Sequence, residues 1–368
     1  MQKKNKHEFF GLMLIGVLVM LLIVTSGCQK SSTETMHSTP DDTTNQQSEE
    51  NTQPSPSTTS EDQNSPSSTA DRPYIAPLTG LPSDMPSDRR IVMVMIENSD
   101  AARPQSGLDQ ADVVYEVLVE GGITRFAAFY QSKVPQTIGP VRSIRPYFID
   151  LAQGYDAIMA HAGGSPEALK IIAQGGLPSL NAVNDGAADP YFWRSNLRKA
   201  PHNLYTDLDH LFALAEKKKF RTQSVPPTFH FIDGTPPVGG DEAQTIDIPY
   251  HSSYKVVYTY DQEHKRYDRY IGKKPHTDLT TGETLHATNI VVLFAKHRSL
   301  DKEGRLAVNF TSGGKGYVFM QGKVYPVHWE NVRGLLRVFY ENGAEVAYTP
   351  GTTWVEVVPD VGVSVKYE

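Results

Sequence analysis

The chain has 368 residues, 39% of them hydrophobic, with a single cysteine, Cys28, and a formal net charge of −7. An acidic to near-neutral balance lacks the basic footprint that nucleic acid requires, so no nucleic-acid partner is expected. A lone cysteine excludes a disulfide framework and a thiolate metal site, leaving core burial to stabilise the fold.

Lys3, Lys4 and Lys6 precede an uncharged apolar run over residues 9–24, and Thr25, Ser26 and Gly27 then lead into Cys28. This is the order of a bacterial lipoprotein signal, in which residues 1–27 are removed and Cys28 becomes the acylated first residue. As a helix the apolar run rises only about 24 Å, short of a hydrocarbon core of about 30 Å, which disfavours an uncleaved spanning anchor. The expected location is the extracytoplasmic face of the cell membrane, with the lipid as the membrane contact. Residues 28–72 form a linker of Ser, Thr, Pro, Gln, Asn and acidic side chains, too poor in large apolar groups to order itself. The leader carries +2 and the linker −6, which leaves about −3 for residues 73–368. That body exceeds the usual size of one core, and its character changes near Val225, which predicts domains over 73–225 and 226–368.

In the first domain, residues 91–96, 113–119 and 123–130 are short apolar runs rich in β-branched and aromatic residues, and predict buried strands. Pro146 opens a helix that runs to about Gln153 and stops at Gly154. Residues 156–162 predict another buried strand, followed by Gly163, Gly164, the N-cap Ser165 and a helix over 167–174. A strand, a glycine turn and a helix N-terminus can hold an anion on backbone N–H groups, and can equally be an ordinary connection. A helix through Lys199 would place Arg194 and Arg198 on one face, with Pro201 interrupting it before His202. Thr206 is expected to cap an amphipathic helix whose apolar stripe is Leu208, Leu211, Phe212 and Ala215. After residue 226 about nine short strands follow with regular turns, among them a hairpin at Asn342-Gly343. The predicted fold is an α/β (α+β) N-terminal domain followed by a mainly antiparallel β C-terminal domain, a small barrel or sandwich.

The sequence holds no GxSxG, HExxH or P-loop motif, and its histidines lack metal spacing, so no catalytic residue, metal or cofactor is assigned. The chemistry available is an arginine set: Arg103, Arg125, Arg142, Arg145, Arg194 and Arg198, with His161, Ser165 and His202 near it in the pattern. Guanidinium forks bind carboxylate or phosphate bidentately and are costly to bury unpaired. Either they share an anionic ligand, or they form salt bridges with Glu97, Asp109, Asp112, Glu116, Glu120 and Asp150.

Several of these segments resemble the YerB-type family of bacterial lipoproteins, a family of unknown function with N- and C-terminal domains. They are PLTGL (77–81), ARPQSGLDQADVVYE (102–116), EGGITRF (120–126), IGPVRSIRPYF (138–148), HAGGS (161–165) and RKAPHNLY (198–205). In the second half they are DLTTGETL (278–285), NIVVLF (289–294) and PGTTWVEVV (350–358). The resemblance implies an exported, two-domain lipoprotein and no particular reaction. The order of strand, IGPVRS turn and YDAIMAHAGGSPEAL is also similar, more weakly, to the LytR–CpsA–Psr phosphotransferases. These act on polyprenyl-pyrophosphate donors with arginines and magnesium. Ser143 stands where that family has an acidic residue. The reading is a non-catalytic envelope lipoprotein binding an anionic wall component or a protein partner. The alternatives are a phosphotransferase-like enzyme on a (pyro)phosphorylated glycan-lipid, the only reading that calls for Mg, and a structural scaffold for envelope proteins.

Overall fold

The computed structural model describes residues 73–368 apart from Pro236; the leader, Cys28 and the linker lie outside the described residues. Three strands of the first half are buried along their whole length: β1 (Val92–Glu97), β2 (Val113–Leu118) and β3 (Thr124–Tyr130). Their apolar runs are unbroken because both faces of the sheet are covered. Along β1, Val92, Val94 and Ile96 enter one core, while Met93 and Met95 enter the other. Helix α1 (Pro146–Gly154) begins at its proline. Strand β4 (Ile158–His161) follows, then helix α2 (Pro166–Gly175), strand β5 (Ser179–Asn181) and helix α3 (Leu208–Lys217).

Two local expectations differ from the structure. Residues 189–205 are not an α-helix: a single 3-10 turn at Asp189–Tyr191 leads into a two-residue strand at Trp193–Arg194 that pairs with Leu204–Tyr205. Its aromatics pack against neighbouring elements instead of forming a helical stripe, so Arg194 and Arg198 do not share a helix face. The cap of α3 is Asp207, not Thr206: the Asp207 carboxylate accepts the His210 N–H at 2.7 Å, whereas the Thr206 hydroxyl donates to the Tyr191 carbonyl.

The second half supplies β6 (Thr245–His251), β7 (Tyr254–Asp261), β8 (Arg266–Ile271), β9 (Asn289–Ser299), β10 (Leu306–Asn309), β11 (Gly314–Met320), β12 (Lys323–Val332), β13 (Leu335–Tyr340) and β14 (Thr353–Pro359). Strands β8, β7 and β6 form an antiparallel sheet with alternating burial, one face apolar and the other wet. The remaining strands continue the sheet of the first half, in the order β12-β11-β9-β14-β2-β3-β1-β4-β5. Strand β14 lies between the two halves, parallel to both β9 and β2. The smaller sheet and α3 contribute to the core on one face of the large sheet, and α1 contributes to the core on the other. Thus the N-terminal part is mixed α/β and the C-terminal part mostly antiparallel, as the sequence pattern predicts. No helix among the described residues is long and apolar enough to cross a membrane.

Candidate functional site

Strands β1 and β4 run parallel, and their C-terminal ends reach the same edge of the sheet as the start of β3. In open sheets of this kind the carboxyl edge of parallel strands is where ligands collect. The segment between Val141 and Arg145 runs across it. The Arg142 N–H donates to the Met95 carbonyl at 2.8 Å, the Ile144 N–H to the Gly163 carbonyl at 3.1 Å, and the Ser143 hydroxyl to the Ala162 carbonyl at 2.9 Å. Three arginines are thereby brought together, Arg125 from β3 with Arg142 and Arg145 from the crossing segment.

Their partners differ. Arg145 makes a bidentate pair with Glu120, at 2.5 and 2.8 Å, and donates to the Ile144 carbonyl. Burial pulls the Glu120 carboxyl upward, but the Arg145 fork outweighs it and holds the group below the usual carboxylate range. Arg142 lies 3.2 Å from the buried Glu97, which also receives His202 Nδ1 at 3.0 Å to each oxygen and the Ser99 hydroxyl at 2.9 Å. Arg125 has no carboxylate at ion-pair distance, although the charge of Glu120, held by Arg145, acts on it. It is 4% exposed, donates from one terminal nitrogen to the Ser143 carbonyl at 2.6 Å, and leaves its Nε without a partner. Burial, reinforced by repulsion from Arg145, lowers its pKa to about 10. A buried guanidinium beside two other arginines is an unfavourable arrangement unless something anionic comes to it.

The other sequence candidates are placed as follows. Arg103 ion-pairs with Asp100 and donates to the Asn98 carbonyl at 2.7 Å. Arg198 bonds the Tyr205 hydroxyl and the Pro104 carbonyl, and Arg194 bonds the Asn203 side chain at 2.9 Å. None of the three bonds a residue of the Arg125 cluster or lines the cleft beside Arg145. His161 is fully buried, with Nδ1 against the Gly163 carbonyl and Nε2 against the Ser179 hydroxyl, both at 2.7 Å. Burial lowers its pKa to about 4, so it is a neutral brace under the glycine turn and offers no group to a ligand. Ser165 caps α2, accepting the Ala168 N–H at 3.2 Å. Ser165 and Arg145 line one side of a cleft of about 280 Å3, and Asp301 and Arg305 of the β9–β10 hairpin line the other, so both halves of the chain contribute to it. Of the six carboxylates expected as salt-bridge partners, Glu97 and Glu120 serve these arginines. Among the described residues no group of three or more His, Cys, Asp or Glu is placed to hold a metal.

Behind the edge lies a cluster that sequence reasoning missed. Glu116 of β2 and Glu356 of β14 are register neighbours on adjacent strands, and Arg269 of β8 reaches both, at 2.8 Å to Glu356. All three side chains are fully buried. Tyr254, Thr124 and Asn98 surround the Glu116 carboxylate, and Tyr250 and Tyr258 surround Glu356. Burial, together with the Glu116 charge, pushes the Glu356 carboxyl up to about 8. His276 Nδ1 accepts from Arg269 Nε at 3.0 Å, which makes Nε2 the donor to Gln105 at 2.8 Å, and Gln105 donates in turn to the Glu97 carbonyl at 2.9 Å. The ion triad is thus wired by hydrogen bonds to the backbone of Glu97 at the site. The signal available in sequence was Arg269 on the inward register of an alternating strand, with Tyr267, and Glu356 within an otherwise apolar run.

Comparison with known proteins gives matches over most of this body. Residues 78–221 match the model described as "Protein of unknown function (DUF3048) N-terminal domain", and residues 246–355 its "C-terminal domain" counterpart. The chain is 39% identical over 293 residues to a Bacillus subtilis (strain 168) protein described as "Putative lipoprotein YerB", covering 78% of this chain and 86% of that one. The crystal structure of YerB protein from Bacillus subtilis superposes with a TM-score of 0.73 at 36% identity, covering 80% of this chain and 99% of that chain. The likeness to the LytR–CpsA–Psr phosphotransferases draws no support from these matches.

Proposed function

The chain belongs to the DUF3048 family, and on that footing we propose that it is an envelope lipoprotein, anchored through Cys28 outside the cytoplasmic membrane, that binds an anionic wall component at the arginine edge. The observation that carries this reading is Arg125, buried and without a carboxylate at ion-pair distance, between Arg142 and Arg145. A phosphate or carboxylate group held by Arg145 in the cleft would bring added negative charge toward Arg125 behind it. Arg142 and Arg145 could then release Glu97 and Glu120 in part to take up the ligand oxygens. The α2 N-terminus, capped by Ser165, adds its positive end to the same cleft. The ligand class is a phosphorylated or carboxylated wall glycan or its lipid-linked precursor, and binding needs no metal or bond-breaking step.

The test is thermal unfolding of residues 73–368 with and without an undecaprenyl-pyrophosphate analogue or muropeptides. At a hundred times the dissociation constant, a ligand stabilises the folded state by about 2.7 kcal/mol, a shift of several degrees. The shift is expected to vanish in Arg142→Ala/Arg145→Ala. An equal shift in the double variant, or none with either ligand, would overturn the site. Adding magnesium and following phosphate release separates binding from turnover: release abolished in the double variant would replace the binding reading with the phosphotransferase one.

A further inference from the structure

Elsewhere on the large sheet, β9, β11 and β12 present one face to a groove of about 680 Å3 that shares no lining residue with the cleft at the arginine edge. The size falls within the range of sites that hold small molecules, roughly 300–1,000 Å3. The groove is built from aromatic rings. Phe294 of β9 and Tyr317 of β11 meet edge to face at 5.9 Å, and Tyr367 meets Tyr317 at 5.7 Å. On β12, His328 lies stacked on Phe339 at 5.4 Å. Gly316 has no room for a Cβ, because it would overlap the Val292 carbonyl, so β11 lies close against β9 beside these rings.

Around the rings stand four charged side chains, Lys296, Lys315, Glu341 and Asp360, all exposed and none in an ion pair. Two are donors and two are acceptors. An aliphatic chain would leave all four idle, and a polyanion would be repelled by both carboxylates. An extended peptide would seek a free strand edge, but β9, β11 and β12 are each paired on both sides. What remains complementary is a ligand with flat apolar C–H faces ringed by hydroxyls that both donate and accept. We propose that this groove binds a sugar chain of low net charge, its pyranose faces against Tyr317 and Phe294 and its hydroxyls bonded by the two lysines and two carboxylates.

The experiment titrates the full-length chain, held in detergent micelles, with the hexamer of β-1,4-linked N-acetylglucosamine and separately with maltohexaose, following heat and tyrosine fluorescence. Saturable binding of one of them is expected, and the linkage that binds identifies the source of the chain. Tyr317→Ala should weaken it roughly tenfold or more, as expected for loss of an anchoring ring, while Tyr317→Phe retains most of it. Lys315→Ala and Glu341→Gln, both exposed and unpaired, leave the fold untouched and should each weaken binding severalfold. Arg142→Ala/Arg145→Ala should bind as the wild type does, which separates this groove from the arginine edge. Absence of binding by both hexamers at millimolar concentration would overturn the proposal. So would unchanged affinity in Tyr317→Ala and Lys315→Ala.

Discussion

Replacing Arg269 by Met removes the only cation from a fully buried triad and leaves Glu116 and Glu356 facing each other across adjacent strands. Removing one partner of a buried ion pair costs about 3–5 kcal/mol, because the remaining charge stays desolvated. At this chain length that is a fall in melting temperature of roughly 6–10 °C. The cost should depend on pH in a definite sense. Burial and the Glu116 charge already push the Glu356 carboxyl up to about 8 against the opposing Arg269 charge, so losing Arg269 moves it further the same way. The Glu356 contribution is therefore fully present below the unfolded value of about 4.5 and is lost as pH rises through the folded value. The assay is calorimetry of residues 73–368 at pH 5 and pH 8, with Arg269→Met compared with Arg269→Met/Glu116→Gln/Glu356→Gln. The single variant should be much worse at pH 8 than at pH 5, and the triple variant should recover most of the loss. A melting temperature within about 2 °C of wild type at pH 8, or a triple variant no better than the single one, would refute the account of the triad as the electrostatic lock between the two halves.

Two further substitutions probe packing and titration elsewhere. Gly154 ends α1 against the turn after β12, where a Cβ would overlap the Gly334 carbonyl and sit 2.6 Å from the Leu335 nitrogen. Gly154→Ala, favourable in an isolated helix by about 1 kcal/mol, should here destabilise by about 1–3 kcal/mol in urea unfolding; a stabilised variant would contradict the close approach. Asp278 is buried with one carboxyl oxygen unpartnered, and burial together with the Asp109 charge pushes its pKa up to about 6. Its contribution is therefore present below the ordinary carboxylate range near 3.8 and lost as pH rises through 6. The amide in Asp278→Asn keeps an acceptor for the Thr280 N–H, so this variant should melt roughly 2–5 °C higher at pH 7.5 and no higher at pH 4. An equal effect at both pH values would rule out titration as the cause.

Local patterning carried much of this protein. The apolar runs of β1, β2 and β3 identified themselves because strands buried on both faces need no polar alternation. Pro146, Ser165 and Gly154 marked helix ends through fixed φ, a side-chain acceptor and the absence of a side chain. The segments quoted from residues 77–358 also carried the family resemblance, and Arg125, Arg142 and Arg145 stood out because guanidinium within or beside apolar runs is costly without a partner. Pairing was a different matter. Glu97 with Arg142, and Glu120 with Arg145, lie 45 and 25 residues apart in the chain, and nothing local distinguishes them from the unpaired alternatives Asp109 or Asp150. That β14 crosses from the C-terminal segment to sit beside β2 is a long-range choice, made by the total burial it achieves and not by its own residues. Only that crossing sets Glu356 beside Glu116 and gives Arg269 its two partners; the pairing of β4 with β5, which brings Ser179 to His161, is what makes that histidine a neutral brace. Sequence by itself determined which long apolar segments are buried and where most of them end, since those follow from short-range hydrophobic and steric rules; it failed over residues 189–205 and at the cap of α3. Tertiary structure alone decided which charges meet, because a Coulomb partner is chosen by distance in space and desolvation, and neither is written in the order of the chain.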